Sequence, residues 1–246
     1  MTKDQTNHQQ NPQNRLLASL SQADFDLVLP GLEPVTLAYK DSLYRQNESI
    51  KFAYFIETGV ASLVNTMKDG SAAEVGTIGN EGFVGLPLLM SDRQAPMSVY
   101  IQVAGSGFRM RANLFADALS QSPSLRTALL RYSHAFFNQV AQSAACAHFH
   151  NLEQRCCRWL LMTQDRVQTD TFMLTQEFLA MMLGVRRAGV TLAAGSLKRH
   201  GLILYSRGKV TVLDRRGLEL RSCECYAVTA GEFDRLLGKQ SHARRY

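Results

Sequence analysis

The most specific spacing in the chain lies between Leu174 and Leu197. The first half, Leu174-Thr-Gln-Glu-Phe-Leu-Ala-Met-Met-Leu-Gly184, predicts a helix capped by Thr175. Its apolar face is Phe178, Leu179, Met182 and Leu183. Gly184 ends the helix where a tight turn needs a positive φ. Arg186 then opens a second helix, with Val190, Ala193, Ala194 and Leu197 facing inward. Ala180 sits four residues before Gly184 and Val190 six after it. This is the spacing of a helix-turn-helix: Ala180 is small where the second helix crosses, and Val190 fills the space between the two. An ordinary helical hairpin would not need Ala180, Gly184 and Val190 at these three positions.

The solvent side of the second helix then acquires a chemistry. Arg186, Arg187, Ala188 and Gly189, followed by Thr191, are placed to reach base edges or phosphates in a DNA major groove. Thr175 and Gln176 open the first helix, whose free N–H groups and dipole suit a backbone phosphate. Lys198, followed by Arg199 and His200, lies where phosphate contact fits better than base reading. Any one of these residues alone also reads as a solvated surface group. In the segment Gly201–Leu213, two β-rich arms flank Ser206-Arg207-Gly208-Lys209, a hairpin turn. A helix-turn-helix followed by such a basic tip is a winged helix, with Arg207 and Lys209 along the DNA backbone.

Charge follows the same division. The 246 residues carry 27 Lys+Arg and 21 Asp+Glu, a net +6. Residues 1–150 hold 11 basic and 12 acidic side chains, whereas residues 151–246 hold 16 and 9. A polyanion partner for the C-terminal part accounts for this asymmetry; a merely basic, soluble surface is the plainer alternative. Hydrophobic residues at 46% and charged ones at 20% exclude collagenous and wholly disordered chains. No apolar run has the length of a membrane-spanning helix, and the polar N-terminus does not read as a secretory signal. Five cysteines, none before Cys146, do not make a disulfide scaffold. The expectation is a soluble, cytoplasmic protein that does not engage membrane.

The elements that must position the winged helix are also legible. Residues 1–14, rich in Gln and Asn, read as a disordered tail. From Val35 to Met110, short apolar runs alternate with turn signals: Lys68-Asp-Gly70, Gly79-Asn80 and Gly105-Ser-Gly107. Nine of the 17 glycines fall between Gly31 and Gly107, so frequent tight turns and an antiparallel roll or barrel are expected. Asn113–Ala147 turns helical. After Pro123, Leu125, Leu129, Tyr132, Phe136, Gln139, Ser143 and Ala147 recur three or four apart, close to a heptad seam. The seam reads as a dimerisation helix or, alternatively, as a helix lying on its own barrel. A second helical region, Leu152–Gln164, follows a junction near His150-Asn151. The fold class is α+β: a roll over 15–120, a dimerisation helix over 121–150 and a DNA-binding domain over 151–246.

This order of glycine-punctuated roll, long helix, helix-turn-helix and wing resembles the Crp/Fnr family of bacterial transcription regulators. The resemblance runs roughly from Leu16 to Leu218 and is most specific over Leu174–Lys209. It implies a homodimer on a two-fold-related, palindromic operator in double-stranded DNA, controlled by an effector at the roll. RNA polymerase is a further implied partner. In members that bind cyclic AMP, a Gly-Glu-Leu is followed by Arg-Ser or Arg-Thr, the Glu holding the ribose and the Arg the phosphate. Aligned through Phe83-Val84-Gly85, this chain has Leu86 and Pro87 for Glu-Leu, and Pro96 and Met97 for Arg-Ser. A phosphate buried there would meet no cation, and Arg93 lies at the wrong spacing. Cyclic-nucleotide control of the usual kind is not expected, and the effector stays unknown. In the reading helix Ala188 stands where cyclic-AMP-type members carry a base-contacting Glu, and Leu192 where they carry Arg. The operator should differ from theirs.

No cofactor, metal or catalytic residue is expected. The oxygen-sensing branch of the family uses N-terminal cysteines for an iron–sulfur cluster, and here there are none. Cys156-Cys157 read as semi-buried core and His148-Phe-His150 as a junction without a ligand role; Cys223-Glu-Cys225 reads as inert or structural, the alternative being metal binding or redox sensing, for which two thiols alone make a poor site. Metal enzymes on a similar roll need clustered histidines, and residues 35–110 contain none. No phosphate loop or nucleophile elbow is present, so an enzyme is not expected. The competing reading is a small-ligand-binding protein of the cyclic-nucleotide type whose winged helix serves a protein partner.

Overall fold

A computed structural model describes residues 12–239 of the chain. Most of the expected tail, 1–11, lies outside the described residues, but the expected limit at residue 14 needs correction. Asn14 is fully buried. Its amide donates to the carbonyls of Ile56 and Gly82 at 2.8 Å each, and its Oδ1 accepts from the N–H groups of Leu16 and Leu17. A short polar side chain able to satisfy four backbone groups caps helix α1 (Arg15–Ala18) and fixes the chain to the sheet. Helix α2 (Gln22–Val28) follows, capped by Ser21.

The roll comprises β1 (Glu33–Leu37), β2 (Ser42–Tyr44), β3 (Phe52–Thr66), β4 (Ala72–Ile78), β5 (Phe83–Val84) and β6 (Ser98–Arg111), with helix α3 (Leu86–Leu89) between the last two. All pairs are antiparallel; the order is β1-β6-β3-β4, with β2 also on β6 and β5 also on β3. The Lys68–Gly70 and Gly79-Asn80 turns fall between strands as expected. Gly105-Ser-Gly107 does not: it lies inside β6, and the runs at Ala53 and Val60 belong to one strand. A Cβ on Gly105 would stand 2.0 Å from the Thr58 carbonyl oxygen, so this glycine permits close strand approach rather than a turn. Register shifts around Thr58 bend the β3–β6 ribbon there.

The helical region is two helices, α4 (Ala112–Gln121) and α5 (Pro123–Phe149), divided where Ser122 caps α5 and Pro123 opens it. The apolar seam faces the roll. Leu125, Leu129, Tyr132, Phe136 and Gln139 are buried, Tyr132 edge-on to Phe83, and Gln139 donates to the Thr77 carbonyl at 3.0 Å. Of the two readings of that seam, the helix on its own barrel describes these residues.

Helix α6 (Leu152–Val167) starts with a capping box between Asn151 and Gln154. It carries a second core built from β7 (Thr171–Met173), α7 (Gln176–Leu183), α8 (Arg187–Arg199), β8 (Ile203–Ser206), β9 (Lys209–Val212) and α9 (Arg215–Arg221). The last helix, α10 (Cys225–Leu237), packs along α5, and its Phe233 joins the roll core beside Tyr132. Among the described residues no single helix is long and apolar enough to cross a membrane.

Candidate nucleic-acid interface

Thr175 caps α7, its hydroxyl accepting the Phe178 N–H at 3.1 Å. Gly184 sits at φ +62°, and α8 leaves at 107° to α7, inside the range for two helices of this motif. Ala180 is 6% exposed beneath the crossing, and Val190 is fully buried between the helices. Helix α8 begins at Arg187 with Arg186 as its N-cap residue, and no side chain caps its first turn.

The wing is a two-residue hairpin. Ser206 pairs with Lys209, and Arg207 and Gly208 both have positive φ, +49° and +73°. That is the turn whose twist matches a β-ribbon. Strand β7 adds a third strand in the order β7-β9-β8, which the sequence reading did not include. The Leu174 N–H donates to the Gly208 carbonyl at 2.7 Å, and the Tyr205 hydroxyl donates to the Leu174 carbonyl at 3.0 Å. These two bonds hold the wing tip against the start of α7.

The result is one groove of about 460 Å³ lined by the start of α7, the exposed side of α8 and the wing. It gathers Thr175, Gln176, Arg187, Thr191, Lys198 and Arg207. Thr191 donates to the Gln176 side-chain oxygen at 2.9 Å, joining the two helices across it. Arg186 and Ala188 are exposed at the start of α8, and Lys209 is exposed beside the wing turn; all three lie outside the lining. Gly189 is half-buried, and a Cβ there would stand 2.9 Å from Leu152 of α6. Packing against α6 thus accounts for that glycine.

One groove feature escaped the sequence reading, and Leu192, already placed in the reading helix, stands outside the lining. Glu177 pairs with Arg187 at 2.8 Å, both side chains well exposed. Leu192, 75% exposed on α8, is a large apolar side chain without a packing role. By the helical period Leu192 falls about 200° around α8 from the buried Val190, on the solvent side.

At the roll, Leu86 and Met97 pack partly against the core, and Pro96 is exposed. Burial pushes the Cys157 thiol up to about 12 and Cys156 higher still, in keeping with core residues. The remaining cysteines behave differently. Cys146, Cys223 and Cys225 converge with His150, all four donor atoms lying within 4.8 Å of one another. The sequence treated Cys223-Glu-Cys225 and His148-Phe-His150 separately, because nothing local shows that α10 returns to the end of α5.

A roll with a long helix and a basic-tipped winged helix defines a two-part transcription regulator. Residues 154–221 match the family model described as the Crp-like helix-turn-helix domain, and residues 34–122 match the cyclic nucleotide-binding domain. The chain belongs to the Crp/Fnr family of transcription regulators, which are not enzymes. Similar solved structures include FixK2 from Bradyrhizobium japonicum, with 13% identity and TM-score 0.66, over 78% of this chain and 98% of that one. A CRP-family transcriptional regulator from Thermus thermophilus shares 19% identity at TM-score 0.64, over 76% of this chain and 96% of that one. The c-di-GMP responsive global regulator CLP of Xanthomonas campestris shares 15% at 0.64, over 78% and 99%. No curated protein sequence matches the chain.

Proposed function

We propose that this protein is a homodimer that reads a palindromic operator in double-stranded DNA, with α8 in the major groove and the wing on the backbone. The observation that carries the reading is the groove in which Arg187, Thr191, Lys198 and Arg207 meet the N-terminus of α7. Arg186 and Arg187, with Thr191, supply the base edge contacts, and Leu192 suits a thymine methyl group. Thr175, Gln176, Lys198, Arg207 and Lys209 position the backbone, while the small Ala188 lets the start of α8 approach closely and Gly189 seats that helix on α6.

The dimer uses a face of α5 that neither the roll nor α10 covers. Leu130, His134, Phe137, Ala141, Ala144 and His148 are all exposed and recur at alternating four- and three-residue spacing. That is a heptad stripe, and its small end allows two helices to come close. The α5 pair transmits the state of the roll to the two winged helices. The effector is a ligand other than a cyclic nucleotide held by the usual Glu and Arg, since Leu86, Pro87, Pro96 and Met97 occupy those places. The regulator acts in the cytoplasm and contacts RNA polymerase from its operator.

Selection of duplex DNA by the purified protein, beside an Arg186→Ala/Arg187→Ala variant, tests the reading. A palindrome enriched by the wild type and lost in the variant is expected. Equal, weak, salt-sensitive binding by both, in the apo form and with candidate effectors, would assign the winged helix to a protein partner instead. Phe137→Glu should yield a monomer in light scattering; an unchanged dimer removes the α5 stripe from the interface.

A further inference from the structure

We propose that Cys146, His150, Cys223 and Cys225 form a site for one thiophilic divalent ion, Zn2+, bound by three thiolates and one imidazole. The four donors come from the last turn of α5, the α5–α6 junction, the link between α9 and α10, and the first residue of α10. Cys146 Sγ lies 3.5 Å from Cys223 Sγ, and Cys225 Sγ lies 3.4 Å from His150 Nδ1. A tetrahedral zinc centre needs sulfur–sulfur edges of about 3.8 Å and sulfur–nitrogen edges of about 3.5 Å, from its ordinary bond lengths. With every donor atom within 4.8 Å of the others, the set closes on a single ion. The thiolates of a four-iron cube bind at separate corners of a body larger than one ion, and this cluster is too tight for it.

Two neighbouring groups point the same way. The Nε2 of His150 meets the Glu224 carboxylate at 3.1 Å, which fixes the ring and leaves Nδ1 facing the sulfurs. That carboxylate–histidine arrangement is what orients a metal-bound imidazole. Arg158 is buried, with Nη2 on the Ser143 hydroxyl at 2.8 Å and Nε without a partner among the described residues. It forms no ion pair with a carboxylate among those residues, although it acts electrostatically on Glu74 and Cys146. Three thiolates and a neutral histidine on Zn2+ leave a net negative charge, a counter-charge for this guanidinium. Bound there, the ion fastens α10 to the end of α5, next to the junction with the winged helix.

The test uses the full chain, purified with reductant throughout. Elemental analysis should find one zinc per chain. After chelation, added Co2+ should give the visible bands of a tetrahedral ion together with thiolate charge-transfer absorption. Cys146→Ser and Cys225→Ser should each lose part of the charge-transfer intensity, and Cys157→Ser none. Glu224→Gln should weaken Zn2+ binding by roughly 10- to 100-fold, the usual loss for such a partner. Circular dichroism of the apo protein and variants separates loss of the ion from loss of fold. The proposal is overturned by a folded protein whose three thiols stay free and give no cobalt spectrum. It is equally overturned by a Cys146–Cys223 disulfide under reductant, by iron with acid-labile sulfide, or by Co2+ spectra unchanged in both serine variants.

Discussion

Glu81 and Arg166 form an ion pair at 2.8 Å whose side chains are 6% and 8% exposed. Glu81 lies in the turn before β5 of the roll, and Arg166 is in the last turn of α6. The same guanidinium donates to the Gln139 side-chain oxygen on α5 at 3.1 Å, and Gln139 donates to the Thr77 carbonyl of β4. Roll, long helix and the first helix of the winged domain therefore share one buried polar network.

Removing one charge from this pair strands the other in the interior. Glu81→Gln or Arg166→Met should each cost about 3–5 kcal/mol in denaturant unfolding. The double variant should recover much of that loss, since neither charge then remains. Single variants as stable as the wild type would show that water reaches the pair.

Arg207 holds a positive φ that favours Asn or Gly, so its side chain is not there for the turn. Arg207→Asn should leave thermal stability equal or slightly higher. DNA binding should weaken for all sequences alike, and the slope of log affinity against log salt should flatten by about one. A change in the preferred operator instead would make Arg207 a base reader.

Glu177 neutralises Arg187 inside an otherwise basic groove. An exposed pair of this kind contributes little to stability. Glu177→Gln should therefore leave unfolding unchanged while raising DNA affinity, with the larger gain on non-operator sequences. Gel-shift titrations on both kinds of DNA read the difference, and unaltered affinities would mean Glu177 lies away from the phosphates.

The Glu74 carboxylate is buried between β4 and α6, where Trp159 Nε1 donates to it at 3.0 Å and its other oxygen has no partner. Burial raises it from 4.5 to about 7, against the opposing pull of Ser62, Trp159, Arg166 and Arg158. The folded state thus binds more protons than the unfolded chain between those values. Stability from this group is full below about pH 4.5, falls as pH rises to about 7, and is level above. Urea midpoints from pH 5 to 8 should show this downward slope relative to Glu74→Gln, and parallel curves would refute it.

The winged helix was legible because its signals are local. The Ala180–Gly184–Val190 spacing, the Thr175 cap and the Arg207-Gly208 turn are set by helical period, steric size and allowed φ, all of which travel with the sequence. The roll was legible in outline for the same reason, through alternation and glycine. Gly105 misled because close strand approach and a turn call for the same residue. The direction of the α5 seam was not legible, since periodicity shows that a helix has an apolar face but not which surface covers it.

Sequence alone determined the elements, the charge division and the residues offered to DNA. Tertiary structure decided what required long-range closure: the groove shared by α7, α8 and wing, the burial of Glu81 with Arg166, and the return of α10 to α5. That return joins Cys146 to Cys223, 77 residues away. Such contacts depend on which apolar faces find each other once the chain collapses, and no local propensity encodes that pairing.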